Sequence, residues 1–179
     1  MRLFFALQLP EGVRERLAPF LRATEGVSFT RVEQLHFTLA FLGETEKLED
    51  AVAAAQAVAD LPQFELAIEG RGAFPSLGRP RVLWLGVSEG KTPLCELADK
   101  LCTALRQSGF KLDDRPFKPH LTIGRVKPRG DKDARRALEA MPKNELARFT
   151  AREIALVHSV LGANGAKHTV LRAFPLKSR

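Results

Sequence analysis

Two stretches of this chain have nearly the same pattern, and that duplication narrows the possible folds. RLFFALQLPEG (2–12) and RVLWLGVSEG (81–90) each run from an arginine through an apolar strand to Glu-Gly. Each continues through helical spacing to a second strand that opens on histidine, HFTLAFL at 36 and HLTIGRV at 120. The offset is 79 residues at the first strand and 84 at the histidines. Two copies are too few for a solenoid. They fit one bilobal domain spanning 1–179, with repeat units near 2–43 and 81–126. The expected fold class is α+β. Each of two pseudo-symmetric lobes would be a mainly antiparallel sheet packed with helices, with the active site in the cleft between them. An apolar content of 45% supplies an ordinary core for 179 residues.

Between these anchors the pattern predicts a helix over 11–22 interrupted at Pro19, and an alanine-rich helix over 46–60. It predicts a strand over 64–70, then a Gly/Pro-rich loop over 70–81 long enough to carry a function. Thr92-Pro93 reads as an N-cap with proline at the first helical position of a helix over 93–107. A short basic helix follows over 131–141. Two strands, near 151–161 and 168–176, flank a turn at 163–165.

The histidine strands carry the chemistry. Side chains alternate along a strand, so His36 and Thr38 share one face, as do His120 and Thr122. Phe37, Leu39, Leu121 and Ile123 point to the core. Two imidazoles suit proton transfer near neutrality, one as acid and one as base. Two hydroxyls can hold an anion where charge builds up. A single His-x-Thr on a strand is a common accident of sequence. Two copies at equivalent points of a repeat favour one shared site. No Asp or Glu stands at ligand spacing beside His36 or His120, so neither a metal nor a cofactor is expected.

Charge is uneven. Residues 1–110 hold 12 Lys and Arg against 14 Asp and Glu, while 111–179 hold 16 against 7. That asymmetry fits a polyanionic partner such as nucleic acid, and equally a solvated basic surface. Cys95 and Cys102 lie seven apart in a helical pattern and read as small buried apolar residues in a reducing cytoplasm. No apolar run approaches the roughly 20 residues that span a bilayer, so no membrane partner is expected. The opening MRLFFALQLPEG reads as a strand rather than a signal peptide. Nothing in the pattern encodes assembly, and a monomer is the default.

These strings resemble the two-histidine phosphoesterases, and within them the bacterial and archaeal RNA 2′,3′-cyclic phosphodiesterases, also called 2′-5′ RNA ligases. The resemblance runs through RLFFALQLP, VEQLHFTLAFLGE, GAFPSLGRPRVLWLGV, RPFKPHLTIGRV and SVLGANGAKHTVLRAFPL. It implies metal-independent hydrolysis of RNA ends or nucleotides bearing a 2′,3′-cyclic phosphate, leaving a 2′-phosphate. It implies His36 as proton donor to the departing 3′ oxygen and His120 as proton acceptor from water. Thr38 and Thr122 would hold the phosphate. The order of the histidines comes from the resemblance alone, because the motifs are nearly equivalent. The same residues would serve 2′-5′ ligation of RNA ends. A non-catalytic RNA-binding module is the reading from a different class.

The resemblance also implies Arg125 as a substrate contact. Strict alternation places Arg125 opposite His120 and Thr122, so either the strand ends or bulges near Gly124, or Arg125 is a rim residue. Phe4, Phe5 and Phe74 could offer a base-stacking surface, and equally read as plain core aromatics. Phe4 and Phe5 have opposite parity, and Phe5 is assigned to the cleft. Arg79, Arg81 and Arg115 are weaker candidates, and Trp84 reads as packing. His158 and His168 read as structural or surface residues, with His168 standing where relatives often have tyrosine.

Overall fold

The computed structural model describes residues 1–179. In chain order it runs β1 (Arg2–Gln8), α1 (Glu11–Leu17), β2 (Val27–Phe29), β3 (His36–Glu44) and α2 (Leu48–Ala55). It continues with β4 (Phe64–Pro75), β5 (Pro80–Glu89), α3 (Lys91–Gln107), β6 (Leu121–Val126) and α4 (Asp131–Glu139). Three strands close the chain: β7 (Ala147–Ala151), β8 (Glu153–Gly162) and β9 (Gly165–Pro175). The fold is α+β.

All strand pairs are antiparallel and fall into two sheets, ordered β3-β1-β8-β9 and β2-β6-β5-β4-β7. Setting aside the short β2, the two orders correspond strand for strand. The histidine strands β3 and β6 hold the same place, each beside the strand that opens its half. Pairing puts Ala6 opposite Thr38 and Trp84 opposite Thr122. Ala6 therefore matches Trp84, one residue out of step with the alignment of Arg2 on Arg81.

The helices cover one face of each sheet. Leu3, Phe5 and Leu7 of β1 join Leu83, Leu85 and Val87 of β5 in a single buried cluster with Leu94, Leu97, Leu101 and Leu105 of α3. Helix α3 also packs against α2 and reaches across to β3, and α1 packs on β7. The core is thus continuous between the two halves. The opposite face of the first sheet carries a separate small cluster of Phe4, Ala6, Ala155 and Val157. On that helix-free face the chain places its polar machinery.

Three local expectations change. The Gly/Pro-rich segment 70–81 is mostly strand, because β4 and β5 pair from Ala67 to Glu89 and leave residues 76–79 as the connection. Helix α3 starts at Lys91 with Gly90 at its N-cap, so Thr92 and Pro93 lie inside the first turn. Gly90 has φ +88°, and a Cβ there would fall 2.4 Å from the Glu65 carbonyl oxygen, so the close approach of β4 sets the start. Helix 11–22 ends at Leu17 and tightens into a 3₁₀ turn over Ala18–Phe20, as Pro19 requires.

Candidate active site

Each motif histidine is held in the same way. The Nδ1 of His36 lies 2.7 Å from the carbonyl oxygen of Gln34, and the Nδ1 of His120 lies 2.6 Å from that of Lys118. A carbonyl only accepts, so Nδ1–H donates in both cases. That fixes the tautomer and leaves Nε2 as the working nitrogen of each ring. For His36 the Nε2 meets the Thr38 hydroxyl at 3.1 Å. Alternation along β3 brings these two side chains onto one face, as the motif predicts.

The fourth residue of each motif is a bulge. On β3 the register skips Leu39 between the pairs Phe5–Ala40 and Ala6–Thr38. On β6 it skips Ile123 between Leu83–Gly124 and Trp84–Thr122. One extra residue reverses the parity of the rest of the strand. Arg125 then pairs with Val82, two residues from Trp84 on β5, and shares the face of Thr122. The bulge needed to bring Arg125 to that face is present, and the guanidinium is exposed and free of ion pairs. By the same shift Phe41 shares the face of Thr38, beneath the Arg2 guanidinium at 5.0 Å.

The aromatic expectation is corrected. Phe5 has no exposed surface and packs in the core, 6.0 Å from Phe174. It cannot touch a substrate, because Leu3 and Leu7 fix its parity toward the helices. Phe4 points the other way, and its ring centroid lies 5.0 Å from that of His36. In the second half Phe74 packs edge-on against His120 at 5.1 Å and lies tilted against Trp84 at 5.4 Å. Trp84 is therefore on the site face rather than in the core. Gly72 makes room for it, since a Cβ there would lie 2.3 Å from the indole ring.

His168, read from the sequence as a structural or surface residue, lies beside the first motif histidine. Strand β9 brings its ring to 5.5 Å from His36 and 5.0 Å from Phe4. Arg81 and Arg115 are committed elsewhere, to Asp131 and Asp113. Arg79 lies in the β4–β5 turn and His158 pairs with Leu3 and Thr169 along the sheet. Cys95 and Cys102 are half-buried free thiols on α3 rather than fully buried ones, and Cys102 faces the Leu39 carbonyl at 3.8 Å.

The surroundings of His36 act on its protonation. Burial pushes the His36 pKa below its ordinary value, the Gln34 carbonyl pulls it part of the way back, and His168 presses it down further. His168 is itself lowered by burial. The shift favours the neutral imidazole of His36 in the free protein. An anion at its Nε2 opposes that shift and favours the imidazolium. No group of three or more His, Cys, Asp or Glu side chains converges to hold a metal ion.

The family model of the 2′-5′ RNA ligase superfamily matches residues 4–163. The chain belongs to this superfamily. An RNA 2′,3′-cyclic phosphodiesterase of Archaeoglobus fulgidus is 37% identical over 179 residues, covering 97% of this chain and 99% of its own. A crystal structure from Thermus thermophilus superposes with a TM-score of 0.80 at 31% identity, over 99% of both chains. Escherichia coli LigT complexed with 3′-AMP gives a TM-score of 0.77 at 28% identity, over 98% of this chain and 97% of that one. Both motifs fall within the matched residues of the superfamily model, and so does the bulge that redirects Arg125.

Proposed function

We propose that this protein hydrolyses RNA ends bearing a 2′,3′-cyclic phosphate to 2′-phosphate ends. The observation that carries the reading is the matched restraint of His36 and His120. Each donates Nδ1–H to the carbonyl two residues back and leaves Nε2 free to act, His36 as the first residue of β3 and His120 immediately before β6, and β3 and β6 pack against each other. Membership of the superfamily and the name of the A. fulgidus relative supply the substrate class. The corresponding sheet orders support reading 1–179 as one bilobal domain with its reacting groups between the halves.

In the proposed reaction neutral His120 takes a proton from water at Nε2. The water oxygen forms a bond to phosphorus as the bond from phosphorus to the 3′ oxygen breaks. Protonated His36 delivers its Nε2 proton to that oxygen, giving a 3′-hydroxyl and a 2′-phosphate. The cyclic phosphate supplies the anion that restores the His36 proton against its burial. Thr38, Thr122 and Arg125 contact the non-bridging oxygens, where charge accumulates. The order of the two histidines follows the family resemblance. The scheme uses no metal.

No helix is long and apolar enough to cross a membrane, and the two free thiols suit a reducing compartment. With the 5′-hydroxyl of a second RNA in place of water, the same groups would join two ends through a 2′-5′ bond. The superfamily's name favours testing that reaction in parallel. The deciding experiment incubates the protein with a cyclic-phosphate oligonucleotide and identifies the product end. A 2′-phosphate is expected. No turnover, or a 3′-phosphate alone, refutes the proposal.

A further inference from the structure

His36 also forms one wall of a pocket of about 290 Å³, whose lining includes Phe4, Arg31, Glu33, Lys167 and His168. Two chain segments far apart in sequence build it. The turn before β3 supplies Arg31 and Glu33, and the β8–β9 hairpin supplies Lys167 and His168. The segments are tied together by Gln34 Nε2 to the Ala166 carbonyl at 2.6 Å and Arg31 Nη2 to the Asn164 carbonyl at 3.4 Å.

The charges in this pocket are unspent. Neither Arg31, Lys167 nor Glu33 enters any of the chain's ion pairs. Two cations against one carboxylate leave a net positive lining, and a concave wall concentrates its field. Arginine and lysine in reach of one cavity suit a phosphate group, the first by its planar fork and the second as a point charge. Phe4 and His168 add flat ring surface to the same lining, beside His36.

The position relative to the reacting group identifies the phosphate. His36 and His168 both line the pocket, their ring centroids 5.5 Å apart, so the pocket adjoins the proposed cyclic-phosphate position at His36. Along an RNA strand, the next anion beyond the terminal ribose is the phosphodiester on its 5′ oxygen. We infer that Arg31 and Lys167 bind this 5′-linked phosphate, so that the protein selects polynucleotide ends over free nucleoside 2′,3′-cyclic phosphates. The inference rests on the proposed function and adds a specificity subsite to it.

Three substrates test it: a nucleoside 2′,3′-cyclic phosphate, the same molecule carrying a 5′-phosphate, and a dinucleotide ending in a 2′,3′-cyclic phosphate. The two with a 5′-linked phosphate should show kcat/KM higher by about tenfold or more, the worth of one or two charge-assisted hydrogen bonds. The double variant Arg31→Ala/Lys167→Ala should lose that advantage and leave the plain nucleoside substrate unchanged. Glu33→Gln should increase the advantage. Equal rates on all three substrates in the parent protein overturn the inference, as does a gain seen with the dinucleotide alone. Equal loss on every substrate in the double variant also overturns it. A second measurement is independent of turnover. Binding of an oligonucleotide ending in a 2′-phosphate should weaken in the double variant, and its log–log salt slope should flatten by about 0.7 for the lost phosphate contact. If the parent protein turns over none of the substrates, the hydrolase reading fails. This binding comparison still decides the phosphate subsite.

Discussion

The Nε2 of His36 stands 3.1 Å from the Oγ1 of Thr38, while its Nδ1 is tied to the Gln34 carbonyl. The hydroxyl therefore meets the nitrogen that would move the proton. With neutral His36, Thr38 donates to Nε2, and with protonated His36 it accepts from it. Thr38→Val keeps the branched shape and removes this partner. Loss of one donor to developing charge costs roughly 10² to 10³ in kcat. We expect a fall of that order in steady-state turnover, with Thr38→Ser recovering most of it. Unchanged turnover in Thr38→Val would show that the hydroxyl has no part in the step.

The depressed pKa of His36 is directly measurable. Burial is its main cause, so NMR titration of the His36 ring should give a midpoint below the ordinary value of about 6.5. Saturating 2′-phosphate product should raise that midpoint, and His168→Gln should raise it in the free protein by removing the neighbouring charge. Stability shifts in the same direction. His36 and His168 are both lowered on folding, so below about pH 6.5 the unfolded chain binds protons that the native state refuses. Their contribution is intact above that pH. It declines as pH falls through the window between the unfolded and native midpoints. A denaturant series from pH 7.5 to 5 should show the loss, and it should be smaller in His168→Gln.

Period and parity decide how much of the site is legible in the sequence. His36, Thr38, His120 and Thr122 are legible because a two-residue period sorts polar from apolar side chains without further information. The bulges at Leu39 and Ile123 are not, because an apolar residue fits the motif whether or not it pairs. That hidden residue is what carries Arg125 to the face of Thr122. Phe4 and Phe5 cannot be told apart by composition, since both faces of β1 are buried, one by the core and one by the small cluster around Ala6 and Val157. His168 depends on hairpin register more than 120 residues from His36, which no local pattern encodes.

Gly72 links packing to the second histidine. It sits opposite Trp84 on β4, and an added methyl would strike the indole ring. Trp84 supports Phe74, and Phe74 packs against His120. Gly72→Ala should cost about 1–3 kcal/mol by overpacking, read from a denaturation midpoint. It should also lower kcat at temperatures where the protein remains folded. Lost stability with full activity would mean that the Trp84 wall does not position His120.

Two readings of the basic chain separate on the histidines. If the protein only binds RNA, His36→Ala and His120→Ala should behave like the parent, because affinity would rest on phosphate contacts. As an enzyme, each should lose roughly 10²-fold to 10⁴-fold or more in turnover with oligonucleotide affinity nearly kept. The proposed chemistry also routes nothing through a metal. Turnover should persist after exhaustive EDTA treatment, and a loss reversed by added divalent cation would contradict it.

Arg125 gives the sharpest test of the bulge. Were β6 regular, its guanidinium would face away from Thr122, and Arg125→Ala would be a surface change worth little. Placed by the skipped Ile123 on the face of Thr122, it would contact the phosphate through a planar fork that lysine cannot reproduce. Arg125→Ala should raise KM for a cyclic-phosphate oligonucleotide by about tenfold or more, with thermal stability unchanged because the side chain is exposed and unpaired. Arg125→Lys should recover the charge-dependent part of the loss but not the remainder. A KM unaffected by either substitution would place the guanidinium outside the site and leave His36, Thr38, His120 and Thr122 to hold the phosphate by themselves.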